Sequence, residues 1–167
     1  RLRLRGLGEG MARMQQALEL KVPPVLVAAV CAGTMWLAAS RLTVLGLPLP
    51  ARAAVGLLLV CAGVAVGLAG VASFRRQRTT VDPTRPDAAT ALVREGIYRH
   101  TRNPMYVGLA LGLAGFAWWL ANAAALVLVA VFVGWIDRLQ IVPEERALRR
   151  KFGVEFERYA ASVRRWV

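Results

Sequence analysis

Cysteine and histidine are nearly missing from this chain, whose 167 residues hold two Cys and one His. Cys31 and Cys61 each lie in an apolar run with no second Cys or His nearby, which excludes a disulfide framework and leaves no metal-ligand set. A nucleotide-binding turn between strand and helix is lacking too, since Gly6, Gly8 and Gly10 have the spacing without the strand and helix around them. Acidic residues are scarce, 10 Asp and Glu against 22 Lys and Arg, for a formal net charge of +12. Three runs carry no charge at all: Val22 to Ser40, Ala53 to Phe74 and Asn103 to Ile136. A soluble domain mixes charge with apolar residues throughout, so this segregation is bilayer patterning.

A helix needs about 20 apolar residues to cross a hydrocarbon core of about 30 Å. The first two runs each fit one span. The third suits either one very long helix or a hairpin of two short ones turning near Ala121 and Asn122. Basic residues decide between them: five precede the first run, Arg41 and Arg52 follow it, seven lie from Arg75 to Arg102 and eight from Arg138 to Arg165. With a hairpin, every dense block falls on one side of the membrane, whereas one long helix exports the last block. The expected fold is therefore all-α integral membrane: four transmembrane helices, the last two a short hairpin, plus a C-terminal amphipathic interfacial helix. Both termini are expected in the cytosol. The chain divides into a basic cytosolic segment (1–21), a two-helix membrane scaffold (22–74) and a unit with a cytosolic loop, the hairpin and the C-terminal helix (75–167).

Topology and contact with anionic headgroups account for the positive charge, so no nucleic-acid partner is expected. Trp118, Trp119 and Trp135 read either as interfacial anchors or as lipid-facing bulk. Gly63 and Gly67 form one Gly-xxx-Gly pair and Gly108 and Gly112 another, faces suited to close helix packing within the chain or in a homo-oligomer. Met11 reads as an initiator, with the residues before it a leader or remnant.

The polar motifs lie in the second half. Asp82, Pro83, Pro86 and Asp87 mark a cytosolic loop, followed by a short helix over Ala88 to Arg94 that ends at Gly96. Asn103 and Pro104 read as a helix start, in which Asn caps free backbone N–H groups or the dipole end receives an anion. Leu148, Phe152, Phe156, Tyr159 and Val163 share one face of a single amphipathic helix. Glu144 and Glu145 follow Pro143, where they either complement the helix dipole or serve as ligands for an ammonium or a ribose.

The stretches LVREGIYRHTRNPMYVG (Leu92 to Gly108) and EERALRRKFGVEFERYAASVRRW (Glu144 to Trp166) resemble the isoprenylcysteine carboxyl methyltransferase and phospholipid methyltransferase superfamily. The shared features are a Gly-x-Tyr turn, an Arg-(His or Asn)-Pro-x-Tyr entry to a membrane helix, and a late Glu-Glu-x-x-Leu with downstream Phe-Gly and Tyr. Asn103 stands where eukaryotic isoprenylcysteine enzymes carry His, as in the bacterial branch, which points to a bacterial inner membrane. The resemblance implies S-adenosylmethionine as cofactor and a lipophilic methyl acceptor dissolved in the bilayer: a lipid amine, an isoprenoid or fatty carboxylate, or a lipophilic amine or thiol. It carries cofactor contact onto Thr90, Ala91, Leu92, Val93, Tyr98, Asn103, Pro104, Met105, Tyr106, Glu144 and Glu145. Arg138 and Tyr106 are the catalytic candidates, Arg138 on the acceptor side. No metal is implied, because methyl transfer from a sulfonium rests on alignment in a water-poor pocket. His100 is read as facing the headgroups.

Two rival readings stand beside this one. Membrane sterol and enone reductases share a similar C-terminal pattern and use NADPH, though they generally have more helices. A non-enzymatic membrane scaffold would suit the glycine pairs but leaves the polar constellation without a purpose.

Overall fold

The computed structural model describes residues 19–40, 48–77 and 90–167. The expectations for the N-terminal leader, for Arg41 and for the loop residues Asp82 to Asp87 fall outside the described residues. Within them the chain is helical: α1 (Pro24–Ala39), α2 (Leu49–Arg76), α3 (Pro104–Leu120), α4 (Ala123–Ile136), α5 (Val142–Phe152) and α6 (Val154–Ser162), with a 3-10 turn at Gly96–Arg99. Pro occupies the first turns of α1, α2 and α3, where its missing N–H costs no intrahelical bond.

Two helical stretches, Leu49–Arg76 and Ala123–Phe152, are long and apolar enough to cross a membrane, and α1 and α3 are shorter apolar helices. The uncharged run from Asn103 does fold as a hairpin. Its corner is Ala121, in the left-handed region at φ 48°, followed by Asn122, whose Oδ1 accepts from Ala124 N and Ala125 N. That cap satisfies donors at the start of α4 that the bend strips of partners.

α3 is central, packing on α1, α2 and α4, and its contact with α2 is the most extensive. A seven-residue repeat of glycine builds that contact. Gly56 and Gly63 of α2 face Gly115 and Gly108 of α3, and Gly70 meets Pro104 and Met105. A Cβ on Gly63 would stand 2.5 Å from Gly108 O and 2.9 Å from Gly112 N, whereas one on Gly67 would meet nothing within 4 Å. The backbones approach because Cβ atoms are absent at the crossing points, in the manner of small-residue membrane helix packing. Gly63→Ala should therefore destabilise the protein in detergent by about 1–3 kcal/mol, and Gly67→Ala should not. Equal thermal midpoints for the two variants would contradict this packing.

α4 does not stop at its charged end. It passes through a π-helical segment, Asp137–Ile141, into α5. Pro143 has no N–H to give to Leu139, and the Leu139 carbonyl accepts from Leu20 N instead, at 3.1 Å.

Two expectations are corrected. The C-terminal amphipathic helix is two helices broken at Gly153, whose φ of 50° continues no right-handed helix. Its apolar residues also face inward, with Phe156 and Tyr159 buried in the protein. The short helix expected from Ala88 is absent over Thr90 to Arg94, and Ala88 itself lies outside the described residues.

Candidate functional site

At the basic end of the bundle, the 3-10 turn, the start of α3, the π segment with the start of α5, and the C-terminal segment Val163 to Trp166 converge on one polar layer. Arg102 is its hub. Its Nη1 donates to the carbonyls of Ala160 (2.8 Å) and Val163 (2.6 Å), and its Nη2 donates to Glu145 Oε1 (2.8 Å). These carbonyls end α6, so the guanidinium both satisfies unpaired acceptors and complements the negative end of the helix dipole.

Arg165 closes the layer from the opposite side. It donates to Glu145 through Nε (3.1 Å) and Nη2 (2.7 Å) and reaches Asp137 through Nη1 (3.3 Å). Trp166 Nε1 also donates to Asp137, at 3.2 Å. The main chain follows the same path: Arg102 N donates to Arg164 O, Thr101 Oγ1 donates to Arg165 O, and Asn103 Nδ2 donates to Arg165 O at 2.9 Å. The C-terminal segment is thereby strapped across the entrance of α3.

The adjacent glutamates have separate surroundings. Burial pushes the Glu145 carboxyl up, but hydrogen bonds from Arg165 and Arg102 outweigh that and hold it below its usual range. Among the described residues Glu144 meets no cation. It accepts from Tyr106 Oη and, at 3.4 Å, from Gln140 Nε2. Burial raises its carboxyl to about 8 against those hydrogen bonds, and the neighbouring Glu145 charge adds to the rise. Of two successive carboxyls, the arginines thus hold one low while burial raises the other.

Tyr106 and Glu144, both expected in the site, are thus brought into direct contact. Pro104 and Met105 form the first turn of α3 between them and α2, against Gly70. Asn103 does not cap α3 as expected: its amide makes no cap bond and is turned to the strap carbonyl, while Thr101 Oγ1 accepts from Asn103 N at 3.1 Å. Glu145 is engaged by two arginines and so is the clamp of the layer. Tyr98 is buried, edge-on to Phe74 with centroids 5.4 Å apart, and its carbonyl accepts from Tyr159 Oη. Thr90, Ala91 and Leu92 run along the surface into Val93, which is buried. Arg138 is exposed and makes no hydrogen bond or ion pair among the described residues. Sequence reasoning missed Arg165, Asp137 and Gln140, for which no motif spacing gave a signal. Arg102 lies inside the quoted Arg-Asn-Pro-x-Tyr motif, beside the helix start, but its partner Glu145, 43 residues on, is not legible there.

Apolar helices, two of them in stretches long enough to cross a bilayer, closing on one polar layer at their basic end have the pattern of an integral membrane protein. The chain belongs to the phospholipid methyltransferase family, which it matches over residues 51–155. It is 32% identical over 109 residues to protein-S-isoprenylcysteine O-methyltransferase A of Arabidopsis thaliana, covering 65% of this chain and 55% of that protein. A probable protein-S-isoprenylcysteine O-methyltransferase of Oryza sativa subsp. indica is 30% identical, covering 65% and 57% respectively. An uncharacterized protein of Haemophilus influenzae is 43% identical over 63 residues, 38% of this chain and 100% of that protein. The chain thus spans just over half the length of the two plant relatives. No solved structure matches the chain significantly.

Proposed function

We propose that the protein transfers a methyl group from S-adenosylmethionine to an acceptor dissolved in the membrane, at the cytosolic interface. The observation that carries this reading is the contact of Glu144 with Tyr106 at the entrance of α3, beside the Arg102 clamp, in a chain of this family. The residues suit the cofactor chemically. Glu144, with no cation beside it among the described residues, offers a carboxyl to an ammonium or a ribose hydroxyl. Arg102 Nε is buried with no hydrogen-bond partner among the described residues, a donor suited to a carboxylate. The Tyr106 ring beside Glu144 favours a cationic neighbour.

When bound, S-adenosylmethionine supplies an electrophilic methyl that an acceptor heteroatom displaces in line. The protein's own part is positional. Tyr106 and Gln140 orient the Glu144 carboxyl, the Arg102–Glu145–Arg165 clamp holds the strap over the entrance of α3, and the apolar helices exclude water from the path of the acceptor. Arg138, exposed at the membrane end of the π segment, is placed to meet the acceptor head. Both termini lie on the cytosolic side in this reading.

Calorimetry in detergent with S-adenosylmethionine, S-adenosylhomocysteine and NADPH tests the proposal. Saturable binding of the first, displaced by the second, is the expected result, and binding of NADPH alone would instead favour the reductase reading. Arg138→Ala should leave that affinity unchanged and lower turnover several-fold. A fall in cofactor affinity in that variant would contradict its placement.

A further inference from the structure

A groove of about 570 Å³ runs between α1, α2 and α3, lined throughout by apolar and glycine residues. Its volume is that of a small-molecule site. One end opens at Val25, Leu68 and Met105, and Met105 belongs to the same turn of α3 as Tyr106. The groove then follows the stripe of α3 to Phe116. At 1.5 Å per residue that path is about 16 Å, close to half of the roughly 30 Å hydrocarbon core. Phe116 is the last residue of α3 to line it. Its ring stacks on Trp119 with centroids 5.9 Å apart, and Trp119 stacks on Trp36 at 6.2 Å.

The walls hold two glycines whose missing side chains leave open space. Unlike Gly63 and Gly108, a Cβ on Gly67 or Gly112 would meet nothing within 4 Å, and both residues line the groove. Glycine inside a helix costs stability relative to alanine, and what these two provide is room. Above the mouth, Arg75 and Arg76 end α2, five and six residues beyond Gly70, which packs on Met105. That is a rise of about 8 Å, close to the headgroup zone, which adds about 5–7 Å on each side of the core.

We infer that this groove is the seat of the acceptor's hydrocarbon chain and sets its length, with Gly67 and Gly112 as the open wall, Phe116 as the stop and Arg75 and Arg76 receiving an anionic head. The inference deepens the methyl-transfer reading and rests on it for the word acceptor. The occupant is a single chain of an amphiphile from the leaflet on the basic side. Its head group extends from the level of the Tyr106 turn toward Arg75 and Arg76, and its tail reaches no further than the middle of the bilayer.

Two measurements on the full chain in lipid nanodiscs test it. In the first, a single-chain lipid bearing a mid-chain diazirine is photolysed and the labelled peptides are mapped. Label is expected on the stripe from Met105 to Phe116 and is expected to be lost in Gly112→Leu. Equal labelling of the exposed face of α4, at Leu126, Val127 and Val131, would overturn the inference, as would cross-links between two copies through the groove. In the second, methylation of a long-chain acceptor is compared across variants. Gly67→Leu and Gly112→Leu should each lower kcat/KM by about tenfold or more with S-adenosylmethionine affinity unchanged. Gly33→Leu, at a position with nothing within 4 Å and outside the groove, should change neither. Phe116→Ala should shift the preference to longer chains. Unchanged kcat/KM in both leucine variants would overturn the inference. Failure of the wild type to bind S-adenosylmethionine would remove the methyl-transfer reading, while the labelling would still decide the groove.

Discussion

Glu144→Gln is expected to weaken S-adenosylmethionine binding by about tenfold to a hundredfold at pH 8, the worth of one charge-assisted hydrogen bond, without unfolding the protein. Glutamine keeps the shape and the acceptor oxygen that Tyr106 and Gln140 address, and removes only the capacity to become an anion. With the carboxyl raised to about 8 by burial, a cationic ligand must draw off its proton at neutral pH. Wild-type affinity should then fall by up to about tenfold for each pH unit below that value, and the glutamine variant should show a flat profile.

Stability should respond in the opposite sense. The folded state holds this proton over a pH range in which the unfolded chain has lost it. The wild type is therefore stabilised relative to the variant at low pH and loses that advantage as pH rises from about 4.5 to about 8. Calorimetry across this range in buffers of different ionisation enthalpy checks both the slope and the released proton. Parallel affinity profiles for the two proteins would remove Glu144 from the cofactor site.

Arg102→Ala should cost about 3–5 kcal/mol, the usual penalty for stripping one partner from a buried ion pair. Both side chains are well shielded, at 12% exposure for Arg102 and 9% for Glu145. The loss falls on three acceptors at once: Glu145 Oε1 and the carbonyls of Ala160 and Val163. Arg102→Lys should recover little, because a single ammonium on a flexible stem cannot span a carboxylate and two helix-end carbonyls as a planar fork does. Thermal unfolding in detergent, together with protease access to the chain after Ser162, reads this directly. Wild-type stability and an intact C-terminus in the alanine variant would show that the strap is held by something else.

The apolar helices were legible because bilayer physics is written in composition: uncharged runs, their lengths and the distribution of arginine foretold the hairpin and its corner at Ala121 and Asn122. The contact of Tyr106 with Glu144 joins two motifs that resemblance had singled out. What escaped depends on partners distant in sequence. Spacings of four, four, three and four from Leu148 to Val163 satisfy one helix, and a lone glycine in such a pattern is ordinarily tolerated. Only the backbone shows that Gly153 takes a positive φ and turns α6 back onto the bundle. Asn103 has the composition of a cap, but an acceptor 62 residues away, the Arg165 carbonyl, takes its amide. The two glutamates look alike in sequence, and only the arrival of Arg102 and Arg165 at Glu145 separates an ion-paired carboxyl from one that accepts from Tyr106 and Gln140. The π segment likewise follows from Pro143, but its position could not be read without the helix around it.

The most direct test of the central claim follows the methyl group itself. Membranes containing the protein are incubated with S-adenosylmethionine labelled in its methyl, and the lipid extract is compared with the aqueous phase. Label entering the lipid phase with the wild type, and markedly reduced with Glu144→Gln, is the predicted result. Cofactor that binds while its label never reaches a lipid-soluble product, with every class of membrane amphiphile supplied, would contradict transfer to a membrane-dissolved acceptor.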